Sequence, residues 1–81
     1  MNVAPQELEM SASKYASAAI KYDSQGGRGM AITNYQKAIE SLLKLQRLYP
    51  DSQLNKIYAE RMKSYQNRII SLQSMSQNDV E

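Results

Sequence analysis

The side chains that could do acid–base or metal chemistry are few and far apart. Asp23, Glu40, Glu60 and Asp79 are scattered along the chain, whereas general acid–base catalysis needs carboxyls converging in a water-poor cleft. There is no Cys and no His, which excludes a disulfide framework, thiolate or imidazole zinc sites and His-based proton transfer. Gly26-Gly27-Arg28-Gly29 places glycines before a helix, a setting that suits anions. It lacks the phosphate-loop Lys followed by Ser or Thr, and no strand precedes it, so the loop is expected only to turn the chain. The expectation is a domain with no catalytic residue, no cofactor and no metal.

What remains is the chemistry of contact. Two stripes are left over once a helical core is assigned. One is Ser13, Ala16, Ile20 and Asp23; the other is Ile57, Glu60, Arg61, Ser64 and Arg68. If their helices lie parallel, the stripes border one shallow groove with a small, apolar floor and charged rims, able to take a short peptide. In that reading Ala16, Ile20 and Ile57 receive apolar side chains, while Asp23, Glu60, Arg61 and Arg68 select charge at the peptide's ends. The opposing reading makes Ala16 and Ile20 peripheral core. The other flank of the last helix, Ala59, Lys63, Gln66 and Ile70, is more polar.

Three helices must position these stripes. Pro5 suits a first helical turn, and Glu7 and Glu9 suit its positive end. Leu8, Ala12, Tyr15, Ala19 and Tyr22 then follow four–three spacing, although Ser11, Ser13 and Ser17 are weak helix formers. Gln25-Gly26-Gly27 closes this helix. A second starts near Arg28, with Ala31, Tyr35, Ala38, Leu42, Leu45 and Tyr49 on one stripe and Ile32, Ile39, Leu43 and Gln46 beside it. Two adjacent stripes make a face wide enough for two partners. Pro50 ends it. Asp51 or Ser52 is expected to cap a third helix whose stripe is Leu54, Tyr58, Met62, Tyr65, Ile69 and Leu72. Connections of about two to five residues make neighbours antiparallel. The predicted architecture is all-α, a three-helix up-down-up antiparallel bundle over residues 5–75, with a flexible arm at 1–4 and a frayed tail or linker start at 76–81.

All six aromatic residues are tyrosines, and each falls on a core stripe. They are read as core with the hydroxyl reaching the surface, not as a platform for single-stranded bases. The net charge of +2 is mild; Arg28, Lys37, Lys44 and Arg47 gather on the second helix, but a nucleic-acid binder needs a denser basic stripe. No apolar run approaches the roughly 20 residues of a membrane span, and no secretory signal opens the chain. The expected setting is cytoplasmic, with contact to membrane only indirect.

Ala31-x-x-x-Tyr35-x-x-Ala38-Ile39, the Ala12-x-x-Tyr15 pattern leading into Lys21-x-Asp23, and Tyr65-x-x-Arg68 followed by Leu72 together resemble the MIT (microtubule-interacting and trafficking) domain. The similarity covers roughly residues 7–75. It is nearest to the MIT domains of the AAA ATPases that disassemble ESCRT-III, archaeal cell-division members included. Tetratricopeptide repeats share Ala-x-x-x-Tyr-x-x-Ala, but there a proline follows much sooner than Pro50 follows Ala38, and such repeats come stacked. The resemblance implies a domain that binds short C-terminal motifs of ESCRT-III-like proteins and recruits a C-terminally fused AAA ATPase to their filaments. One class of motif is a leucine-rich helix lying between the second and third helices; another is an extended, proline-containing strip between the first and third. Gln66 stands where helix-binding members tend to have an aliphatic residue, which favours the extended mode. The isolated domain is expected to be monomeric and to bind weakly, at about micromolar or worse. The alternative is a tetratricopeptide-like or basic helical module with a scaffold or nucleic-acid role.

Overall fold

Three helices run α1 (Pro5–Ser24), α2 (Arg28–Leu48) and α3 (Asn55–Asn78) in a computed structural model that describes residues 5–78. The proposed arm at 1–4 and the last three residues of the proposed tail lie outside the described residues. Residues 76–78 continue α3 as helix.

Glycine closes α1 for a specific reason. Gly26 has φ of 81°, the left-handed region that other residues enter at a cost. There its N–H donates to the Asp23 carbonyl (3.2 Å), and the Gly27 N–H donates to the Tyr22 carbonyl (2.8 Å). This is the Schellman pattern that satisfies the last carbonyls of a helix. The turn sends α2 back along α1. Gly27 then stands at the N-cap position of α2 without a side-chain cap, and its carbonyl accepts from the Ala31 N–H at 2.9 Å.

The seam between α1 and α2 is built from small residues. Ala12, Ala16 and Ala19 of α1 and Ala31 and Ala38 of α2 are all buried. Small side chains let helix axes come close, because interaxial distance follows the residues at the contact. The α2–α3 side is filled by Tyr58, Met62, Ile69 and Leu72 against Tyr35, Ile39, Leu42 and Leu45, all in one core cluster. Leu42, Leu45 and Leu72 are its largest fully buried side chains. The helix α2 thus packs on both neighbours. By contrast, among the described residues no Cα of α1 lies within 8 Å of one in α3. The bundle is open on that side.

The entry to α3 differs from the sequence-based expectation. The helix begins at Asn55, and the connection spans residues 49–54, longer than expected. Ser52 does not cap the helix directly: its Oγ accepts from the Leu54 N–H (3.2 Å), while its carbonyl accepts from the Asn55 N–H (3.2 Å). Asn55 Nδ2 reaches back to the carbonyls of Tyr49 (2.8 Å) and Pro50 (3.1 Å). Gln46 Nε2 donates to the Asn55 carbonyl at 3.0 Å. These bonds fold the first residues of the expected helix into a turn. Leu54 and Tyr49 consequently end on the surface instead of in the core.

Candidate functional site

The open side of the bundle is spanned by side chains. Near the end of α1, Asp23 accepts from Arg68 of α3 through both oxygens, Nε to Oδ2 at 2.7 Å and Nη2 to Oδ1 at 2.8 Å. A third helix joins this fork, because the Tyr35 hydroxyl of α2 donates to Asp23 Oδ2 at 3.1 Å. The Tyr35 ring also lies against Tyr65 of α3, with centroids 5.6 Å apart and planes tilted by 30°. Tyr65 and Arg68 are one helical turn apart, so α3 presents both to the same hub. The Arg68 guanidinium, with help from the Tyr35 hydroxyl and against some desolvation, holds the Asp23 carboxyl below the usual carboxylate range. Burial, reinforced by the Asp23 carboxylate, pushes the Tyr35 phenol up.

Four turns toward the start of α1, a second polar contact crosses the same side. Tyr58 of α3 is buried and lies beside Glu9 of α1, and its phenol is raised, first by burial and then by that carboxylate. On the closed side, Lys37 Nζ sits 5.5 Å from the centre of the Tyr15 ring, a cation–π contact that adds to the α1–α2 seam.

The nine residues read from the sequence as groove-lining divide into three groups. Ser13, Ile20, Ile57, Glu60, Arg61 and Ser64 are exposed, and Ile20 (58%) and Ile57 (46%) leave much of their apolar surface in water. Ala16 is 7% exposed and belongs with the seam residues more than with a surface that receives side chains. Asp23 and Arg68 are brought together and engaged with each other. On the other flank of α3, Ala59, Lys63, Gln66 and Ile70 are exposed as well.

One surface was missed by periodicity. At the end opposite the fork, Leu45, Leu48, Tyr49, Leu54 and Tyr58 line a cleft of about 480 Å³ together with Pro5, Glu9 and residues 50–52. Tyr49 and Leu54 continue their helical stripes on paper, so spacing alone places them inside. The sequence signal against that is Pro50, which ends α2 before Tyr49. Among the described residues no group of His, Cys, Asp or Glu is arranged to hold a metal ion, and no helix is long and apolar enough to cross a membrane.

This geometry fits what comparison with known proteins finds. The family model for the MIT (microtubule interacting and transport) domain matches residues 10–74. Cell division protein C of Sulfolobus acidocaldarius is 49% identical over 53 residues, which are 65% of this chain and 14% of that protein. The chain thus matches a small part of that relative's length.

Proposed function

The chain belongs to the MIT domain family, and we propose that it is a peptide-binding adaptor, docking the C-terminal motifs of ESCRT-III-like proteins between α1 and α3. The observation that carries this reading is the open α1–α3 side, where no backbone of α1 approaches α3 and where Ile20 and Ile57 stand exposed on the two flanking stripes. The stretch from Glu9 to Asp23 is about 21 Å at 1.5 Å per helical residue, room for roughly six residues of extended chain. Ser13, Ile20, Ile57, Glu60, Arg61 and Ser64 border it. Charge selection falls to Glu60 and Arg61, because a ligand using Asp23 or Arg68 would first have to break a bidentate fork. The Asp23–Arg68 pair instead fixes the separation of the two walls.

A groove of this size buries less than a standard interface, so affinity is weak, about micromolar or worse. Avidity supplies the rest: a C-terminally fused, oligomeric AAA ATPase facing a polymeric filament multiplies weak contacts. In that role the domain works in the cytoplasm, as a monomeric unit without catalysis of its own, and meets membrane only through the filament. The relationship to Cell division protein C supports a part in cell division. Titrating the isotope-labelled chain with C-terminal peptides of ESCRT-III-like proteins tests this. Shift changes are expected along Ser13–Ile20 and Ile57–Ser64. Changes confined to α2, or centred on Lys63, Gln66 and Ile70, would move the site, and no binding to any such peptide would remove the function.

A further inference from the structure

The cleft at the far end of the bundle has the character of a binding site in its own right. Its volume of about 480 Å³ lies within the range of small-ligand pockets. Leu45, Leu48, Tyr49 and Leu54 make its apolar wall, and Leu48 and Leu54 are 56% and 45% exposed. The loop behind that wall is firmly tied. Asn55 holds the carbonyls of Tyr49 and Pro50, Gln46 holds the carbonyl of Asn55, and Ser52 bonds to Tyr49 and Leu54. The cleft is therefore preformed, and an occupant need not order it.

Its charge is one-sided. Among the described residues Glu9 and Asp51 line it, and no basic side chain does. The positive ends of α1 and α3 face the same way, but each amounts to roughly half a charge that fades within the first turn. Two whole carboxylates outweigh them.

We propose that this cleft is a second docking site, which takes a protein segment carrying a large aliphatic or aromatic side chain next to a lysine or arginine. The apolar group fills the space between Leu45, Leu48 and Leu54, and the cation reaches Glu9 and Asp51. None of the cleft residues belongs to the α1–α3 stripes, so this site stands whether or not the groove binds its peptide.

The test is a titration of the isotope-labelled chain with N-acetyl-Leu-Arg amide and, separately, N-acetyl-Leu-Glu amide. Saturable shifts at Leu48, Tyr49 and Leu54 are expected with the arginine peptide. The glutamate peptide should bind more weakly by about fivefold or more, the factor one charge pair gives at roughly 4 Å in water. Asp51→Asn should narrow that gap, and Leu54→Ser should weaken both peptides; both positions are exposed, so the fold tolerates these changes. Equal affinity for the two peptides, unsaturable shifts or shifts elsewhere would overturn the proposal. Concentration-dependent shifts at the same residues without peptide would overturn it too, by making the occupant a second copy of the chain.

Discussion

The two sides of α1 meet their neighbours in opposite ways. Toward α2, buried alanines face buried alanines and the helices close on each other. Toward α3, no backbone approaches, and the gap is spanned by Asp23 with Arg68. Close packing of small residues is rigid, because an added methylene has nowhere to go. A gap bridged by a side-chain fork keeps its width there while leaving the surface beside it open. One side of α1 therefore carries stability and the other is available for contact.

The comparison is easiest to break on the closed side. Ala19 is fully buried, so Ala19→Leu should cost about 1–3 kcal/mol or more by overpacking the seam. In a domain this small that is much of the total stability, and thermal denaturation should show a large fall in Tm. A loss under about 0.5 kcal/mol would mean the seam has slack. The hairpin that closes the seam gives a paired test of intermediate size. Gly26→Ala should destabilise by about 1–2 kcal/mol, because φ of 81° disfavours a Cβ. Gly29→Ala should stabilise by roughly 0.4–1 kcal/mol, because a Cβ there meets nothing within 4 Å and the position is helical.

On the open side the effects are smaller. The folded-state pKa of Asp23 is lowered, so its contribution is fully present above the unfolded value near pH ~4. It is lost as pH falls through the lower folded value. Asp23→Asn should remove that part of the acid limb in pH-dependent denaturation, lower stability modestly above pH ~5 and leave the pH dependence there unchanged. The effect stays modest because the Arg68 side chain is 42% exposed, where solvent screens the pair. An unchanged acid limb would show that the fork contributes nothing in solution. Smallest of all for stability is Ile20→Ser, expected within about 0.5 kcal/mol of the parent because the side chain is mostly in water.

Sequence carried most of the fold and less of the site. The stripe Leu8, Ala12, Tyr15, Ala19, the glycines at 26 and 27 and the proline at 50 each impose local geometry, and α1 and α2 begin and end where those residues require. The start of α3 was not legible, because it is decided by Asn55 and Gln46 recapturing the chain across the loop, a tertiary event with no periodic signature. For the same reason Tyr49 and Leu54 look like core: spacing defines a stripe but not where it leaves the bundle. Spacing puts Asp23 and Arg68 on the two flanking stripes, and only the three-dimensional arrangement shows that they satisfy each other together with Tyr35. The end cleft was invisible, since it is assembled from the ends of all three helices.

The central claim is that the open α1–α3 side binds peptide while the closed side holds the fold. The most direct measurement is calorimetric titration of the Ile20→Ser, Ile57→Ser double variant with an ESCRT-III-type C-terminal peptide, alongside its thermal denaturation. Affinity should fall by about tenfold or more, since each large apolar side chain is worth roughly 1.5–3 kcal/mol when fully buried, with Tm essentially unchanged. Parent-like affinity would contradict it, as would a loss of binding accompanied by a matching loss of Tm.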